Sequence, residues 1–153
     1  MNDAPHDGGY GAPTTLTNGP FAGWMTWGAG NDPFETLCGP LCFRTEDDGR
    51  QRAGFLPTEK HLNGGGVLHG GALMTFADFS LFALAHDVLQ GQHAVTVTFN
   101  SELMGAGVLG APVYAEGRVL RETKSMVFVQ GRLEQNGQPI MAFSGTLKKI
   151  RPR

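Results

Sequence analysis

Between Ala72 and Ala85 the chain reads ALMTFADFSLFALA, and Asp78 is its only charge. Laid out as a helix, this stretch has no polar face to turn toward water, so it must be buried almost all the way round. It is too short to span a bilayer, which needs about 20 apolar residues. The rest of the chain has to build a wall around one central helix. A carboxylate inside that wall is costly without a partner or a use, and Asp78 is therefore the first candidate for chemistry.

The residues leading into this helix, HLNGGGVLHGG from His61 to Gly71, form a polar, glycine-rich loop. Glycine lets a backbone approach a ligand closely, and the first N–H groups of a helix are unpaired donors that favour developing negative charge. Gly70 and Gly71 stand at that opening. The helix is expected from about residue 69 to 89, with Gly91 as its stop.

Strand signals surround it. Segments 41–46 and 50–56 flank Asp47-Asp48-Gly49 and read as a hairpin. Four more strands are expected over 94–103, 112–121, 125–134 and 139–149, with Asn136-Gly137 as the clearest turn. In AVTVTFN, from Ala94, period-two alternation turns one face inward. A hairpin, one buried helix and an antiparallel meander define an α+β architecture, a curved antiparallel sheet wrapped around a long central helix. Residues 21–37 carry Phe21, Trp24, Met25, Trp27, Phe34 and Leu37 among glycines, which suggests one or two short helices at the domain edge. Residues 1–20, rich in Gly, Pro, Asn and Thr, are expected to be a disordered tail, leaving 21–153 as a single domain.

Charge and composition exclude several classes. A chain of 153 residues fits one domain, and a net charge of −2 leaves no basic excess for nucleic acid. Cys38 and Cys42 have no second pair at zinc spacing, so they read as reduced, partly buried thiols, and no metal site is expected. No run is long enough for a membrane span and no signal-peptide pattern opens the chain, which predicts a cytoplasmic protein. Gly64-Gly65-Gly66 lacks the Lys-Ser/Thr of a phosphate loop, and Phe143-Ser144-Gly145 lacks the first glycine of a nucleophile elbow.

The stretch HLNGGGVLHGGALMTFAD, followed by VTVTFNSELMGAGVLGAPV, resembles the hotdog-fold acyl-CoA thioesterases of the phenylacetic-acid-degradation type, relatives of the 4-hydroxybenzoyl-CoA thioesterases. The likeness covers roughly residues 34–150. It implies a hotdog fold, hydrolysis of an acyl-CoA to a carboxylic acid and free CoA without a metal or redox cofactor, and a homodimer or dimer of dimers. Carried over by position, Asp78 matches the catalytic carboxylate and Gly70 the glycine whose N–H polarises the thioester carbonyl. Asn63 matches a loop asparagine near the reacting carbon, His69 the histidine of HGG, and Thr96 a hydroxyl that helps place water. For CoA, the resemblance points to the turn carrying Arg121, Lys124 and Ser125, where Glu122 is an unfavourable neighbour for phosphates.

The residues support that chemistry independently. Asp78 suits a general base or, alternatively, a direct nucleophile, and burial should raise its pKa while Thr96 opposes the rise. The Gly70 N–H suits an oxyanion. Eight positions of helix separate the two by roughly 12 Å, so they cannot serve one carbonyl within one chain. If both act, each site takes Gly70 from one subunit and Asp78 from another. Plain alternatives remain: Asp78 bonding a structural partner, Asn63 as a turn residue, Lys124 as a solvated charge, and His69 as a cap and brace for the loop. Two other functions stand beside hydrolysis, a hotdog-type hydratase or dehydratase and a non-catalytic acyl-CoA sensor.

Overall fold

A computed structural model of the protein describes residues 12–28 and 32–151. In chain order its strands are β1 (Thr14–Thr15), β2 (Met25–Thr26), β3 (Cys42–Thr45), β4 (Gln51–Phe55), β5 (Ala94–Leu103), β6 (Val113–Glu122), β7 (Met126–Gln135) and β8 (Gln138–Lys149). The helices are α1 (Pro33–Cys38), α2 (Gly70–Leu84) and α3 (His86–Leu89), and a 3-10 turn covers Glu59–His61. Every pairing is antiparallel, in the order β1-β2-β3-β4-β6-β7-β8-β5.

The expected hairpins form where turn chemistry placed them. Asn136 and Gly137 both have positive φ (53° and 74°), the backbone that a two-residue turn between twisted strands requires. That turn aligns Gln135 with Gln138 and sets the register of β7 against β8. Helix α2 lies across the concave face, where Phe76, Leu73 and Leu81 are among its fully buried side chains. Close approach of helix and sheet depends on Gly145 in β8, because a Cβ there would collide with the Leu81 side chain and the Thr98 carbonyl.

Five expectations are corrected. The helix predicted over 69–89 is two helices, because Ala85 leaves helical geometry (φ −92°, ψ 5°) and stands as the single residue between the end of α2 and the start of α3. The last four strands are not a simple meander: β5 crosses to the far side of β8, at the end of the sheet. Ordered structure begins before residue 21, since Thr14–Thr15 pairs with Met25–Thr26 and Leu16 packs against Phe21 and Trp24. Residues 1–11 of the expected tail lie outside the described residues. At the domain edge, 21–37 contributes β2 and the beginning of α1 rather than helices alone.

The fifth correction concerns burial. Helix α2 is not enclosed all round: Gly71, Met74, Thr75, Asp78 and Phe82 form a stripe that the chain leaves partly or fully uncovered. Met74 is 40% exposed there. Among the described residues no helix is long and apolar enough to cross a membrane.

Phe76 has no exposed surface and packs against Phe55, the ring centroids 4.7 Å apart and the planes tilted by 54°. Phe76→Ala should therefore cost about 3–5 kcal/mol in urea denaturation, as expected for a phenylalanine emptied from a closed core. A loss below about 1 kcal/mol would mean that the helix is not gripped by the sheet.

Candidate active site

The loop and helix opening are built from local hydrogen bonds. The Asn63 side-chain oxygen accepts from the Gly65 N–H at 2.8 Å and the Val67 N–H at 3.3 Å, which folds the glycine turn back on itself. His69 caps α2, its Nδ1 accepting from the Gly71 N–H at 2.8 Å. That bond satisfies the second amide of the helix. The Gly70 N–H, the first, has no acceptor among the described residues. A free donor at a helix N-terminus next to a glycine loop is placed to hold an oxyanion.

Asp78 lies two turns further along and is half-buried. The Thr96 hydroxyl donates to its Oδ1 at 2.7 Å. Burial holds the Asp78 carboxyl above its ordinary range, and the Thr96 bond works in the opposite direction. Thr96 shares the inner face of β5 with the buried Ala94, and just after it a β-bulge shifts the pairing with β8 between Thr96 and Thr98. Strict alternation would put Thr96 and Phe99 on opposite faces. With Val97 as the extra residue, Thr96 meets Asp78 while Phe99 still packs on the core and Val97 turns outward, 46% exposed. At the other end of β5, Leu103 lies beside Gly70. Strand and helix run antiparallel, with the two candidate catalytic groups at opposite ends.

The remaining candidates lie apart from these. Arg121, Lys124 and Ser125 are exposed on the β6–β7 turn, at the Thr96 end of β5: Ala94 pairs with Lys149, whose N–H donates to the Ser125 carbonyl at 2.8 Å. Glu122, the expected unfavourable neighbour, is held by the Lys149 ammonium. Within one chain the structure thus joins Asp78 with Thr96 and His69 with Gly71. It does not bring Gly70 to Asp78 or the basic turn to the glycine loop.

One carboxyl was not foreseen. Glu35 sits in the first turn of α1, a helix opened by Asp32, whose side chain accepts from the Glu35 N–H at 2.9 Å, and by Pro33 at its first position. The Glu35 Oε2 is buried without a hydrogen-bond partner among the described residues. Its pKa is pushed up to about 8 by burial first, then by the charges of Asp32 and Asp78. Burial and the neighbouring negative charges thus favour the protonated form of Glu35. The Asp-Pro-x-Glu pattern announces a helix start, but only the fold brings Glu35 within electrostatic range of Asp78.

A sheet curled around a helix whose glycine opening and buried carboxylate face the same uncovered stripe places the chain in the hotdog class. The family model of the thioesterase superfamily matches residues 65–142, from the glycine loop into β8. A Pseudomonas aeruginosa protein named provisionally as an esterase is 30% identical over 116 residues, 75% of this chain and 87% of its own. The chain belongs to the thioesterase superfamily. Among solved structures, a point mutant of the phenylacetic acid degradation protein PaaI from Thermus thermophilus is 26% identical, with a TM-score of 0.65 over 78% of this chain and 100% of that one. A Bacillus halodurans protein solved with CoA is 23% identical, with a TM-score of 0.67 over 72% and 74% of the two chains.

The Glu35 environment makes a pH-dependent stability. An unfolded chain releases this proton near 4.5 and the folded chain near 8, so the stabilisation is complete below pH 4.5 and declines as pH rises through that window. Glu35→Gln, neutral at every pH, should flatten the decline and make the variant progressively more stable than wild type toward pH 8. Solvent screening keeps the difference in slope below the ~1.4 kcal/mol per pH unit of one whole proton. Parallel stability curves from urea denaturation at a series of pH values would show that Glu35 ionises freely.

Proposed function

We propose that this protein is an acyl-CoA thioesterase that acts as a homodimer or larger even assembly, with each active site shared between two chains. The observation that carries the reading is the division of labour along α2: an N–H without an acceptor at Gly70, and a raised carboxylate at Asp78 roughly 12 Å further along the same helix. One chain supplies half of a hydrolytic site twice over. A two-fold partner laid antiparallel along the stripe brings Gly70 of each chain to Asp78 of the other.

The surface favours that partner. Among the described residues β5 ends the sheet with one edge unpaired, a ten-residue strand that would otherwise invite indiscriminate pairing. Beside it lie the half-covered Met74 and Phe82 of α2 and the exposed Leu103. A second copy joined edge to edge through β5 would cover both the strand and the stripe.

In the resulting site the thioester oxygen accepts from the Gly70 N–H, and Asp78 takes a proton from water as its oxygen attacks the carbonyl carbon. Thr96 keeps the carboxylate oriented by its hydrogen bond. The tetrahedral oxyanion then collapses, the C–S bond breaks, and CoA leaves as thiolate. Direct attack by Asp78 would give the same products through a mixed anhydride that water opens. CoA recognition draws support from the Bacillus halodurans relative solved with CoA, and Lys124 is an exposed cation on the β6–β7 turn at the Thr96 end of β5, where the exposed Lys148 also pairs with Val95.

Complementation tests the shared site. Asp78→Asn keeps the shape but cannot take the proton, and turnover should fall by about 10²-fold or more. Gly70→Pro removes the free N–H at a position that tolerates proline: it opens the helix, and His69 before it already has extended geometry (φ −62°, ψ 134°). Each variant should be inactive alone. Refolded together in equal amounts, about half the dimers are mixed and about a quarter of all sites are whole, and activity should return to about that fraction. Mixed dimers that stay inactive would rule out catalysis between chains.

Lys124→Glu provides a separate check on the nucleotide end. Charge reversal should raise KM for acyl-CoA several-fold while leaving a thioester without the nucleotide unaffected. Equal effects on both substrates would remove Lys124 from CoA binding.

A further inference from the structure

Beside the opening of α2 lies a cavity of about 340 Å³ between α1, the 3-10 turn and the first turns of α2. Its walls are mainly apolar: Leu37, Leu41, Phe55, Leu62 and Ala72, with Thr75 at one side. Gly71 and His69, the residues next to the free Gly70 N–H, form its rim. The volume is at the small end for ligand pockets, ~300–1,000 Å³, enough for one chain or ring and too small for a nucleotide.

Two basic side chains also border the cavity, and both are engaged in holding its wall. Lys60 Nζ donates to the Gly39 carbonyl at 2.7 Å. The Thr58 N–H donates to His61 Nδ1 at 2.9 Å, which leaves the proton on Nε2, and Nε2 donates to the Cys38 carbonyl at 2.6 Å. These carbonyls are the C-terminal end of α1, a helix with no basic residue in its own last turn. Lys60 and His61 therefore cap α1 from outside and fix it as one wall of the cavity.

We propose that this cavity is the acyl subsite and that it takes an uncharged, apolar acyl group rather than one ending in a carboxylate. The inference rests on the thioesterase reading for its placement: a carbonyl held at the Gly70 N–H has its acyl arm beside Gly71 and His69, at the mouth of the cavity. Apolar walls reward each buried methylene, whereas a terminal carboxylate would enter among leucines and a phenylalanine with the ammonium of Lys60 already turned to α1.

Binding and hydrolysis separate the two ideas. The probes are non-hydrolysable S-methyl-CoA, S-octyl-CoA and an S-alkyl-CoA of the same length ending in a carboxylate, titrated calorimetrically into the full chain. Octyl should bind about tenfold or more tighter than methyl, and tighter than the carboxylate form. Ala72→Phe fills the cavity and Leu37→Asp puts a charge at its mouth. Leu37 is 72% exposed, so the second substitution spares the core if the first disturbs folding. Each folded variant should lose the octyl advantage. An octyl advantage absent in wild type, surviving in either folded variant, or smaller than that of the carboxylate form would overturn the acyl subsite. Hydrolysis of octanoyl-CoA is read in parallel: its absence from wild type overturns the thioesterase reading, while the chain-length dependence of binding still decides the cavity.

Discussion

The enclosure of α2 is the constraint on which the rest of the molecule depends. A helix with one charge in its apolar stretch has to be surrounded, and a single antiparallel sheet can surround it only by curling. Gly145 lets the two approach, and Leu81, Leu73 and Phe76 fill the contact. The sheet does not close. One stripe of the helix stays uncovered, and Asp78 lies on it, close enough to the core to be partly desolvated and open enough to meet a substrate.

That intermediate environment sets the Asp78 carboxyl apart from an ordinary surface aspartate. Full burial would push the carboxyl toward permanent protonation, and full exposure would leave it an ordinary weak base. Here burial raises its pKa, while the Thr96 hydroxyl favours the charged form and fixes its orientation. Glu35 adds a second control. Burial and the charges of Asp32 and Asp78 favour its protonated form, and its buried Oε2 remains without a partner among the described residues.

The helix opening obeys the same economy of donors. His69 satisfies the Gly71 N–H and leaves the Gly70 N–H without an acceptor among the described residues, so a single amide is singled out rather than a row of loose ones. Asn63 folds the preceding glycine turn, and Lys60 with His61 braces α1 against the same corner. A loop, a cap and two external braces thus build one rigid rim around a free donor and the mouth of an apolar cavity.

Much of this was legible in the residues. The apolar run required a central helix, Asp47-Asp48-Gly49 and Asn136-Gly137 marked their hairpins, and the glycine loop with Asp78 marked the candidate site. These are local signals: turn chemistry, side-chain period and the cost of a buried charge act over a few residues and can be read from them. The bulge at Val97, the break at Ala85, the crossing of β5 beyond β8 and the meeting of Glu35 with Asp78 were not legible. Each depends on the packing of segments distant in sequence. Nothing in AVTVTFN reveals that one extra residue after Thr96 will return Phe99 to the same inner face, because the period-two pattern it breaks is set by a partner strand about fifty residues away in register. The sequence by itself determined that a helix would be enclosed and which carboxylate it would carry; only the tertiary structure decided which face of that helix stayed open, because a curved sheet of fixed width cannot cover every side.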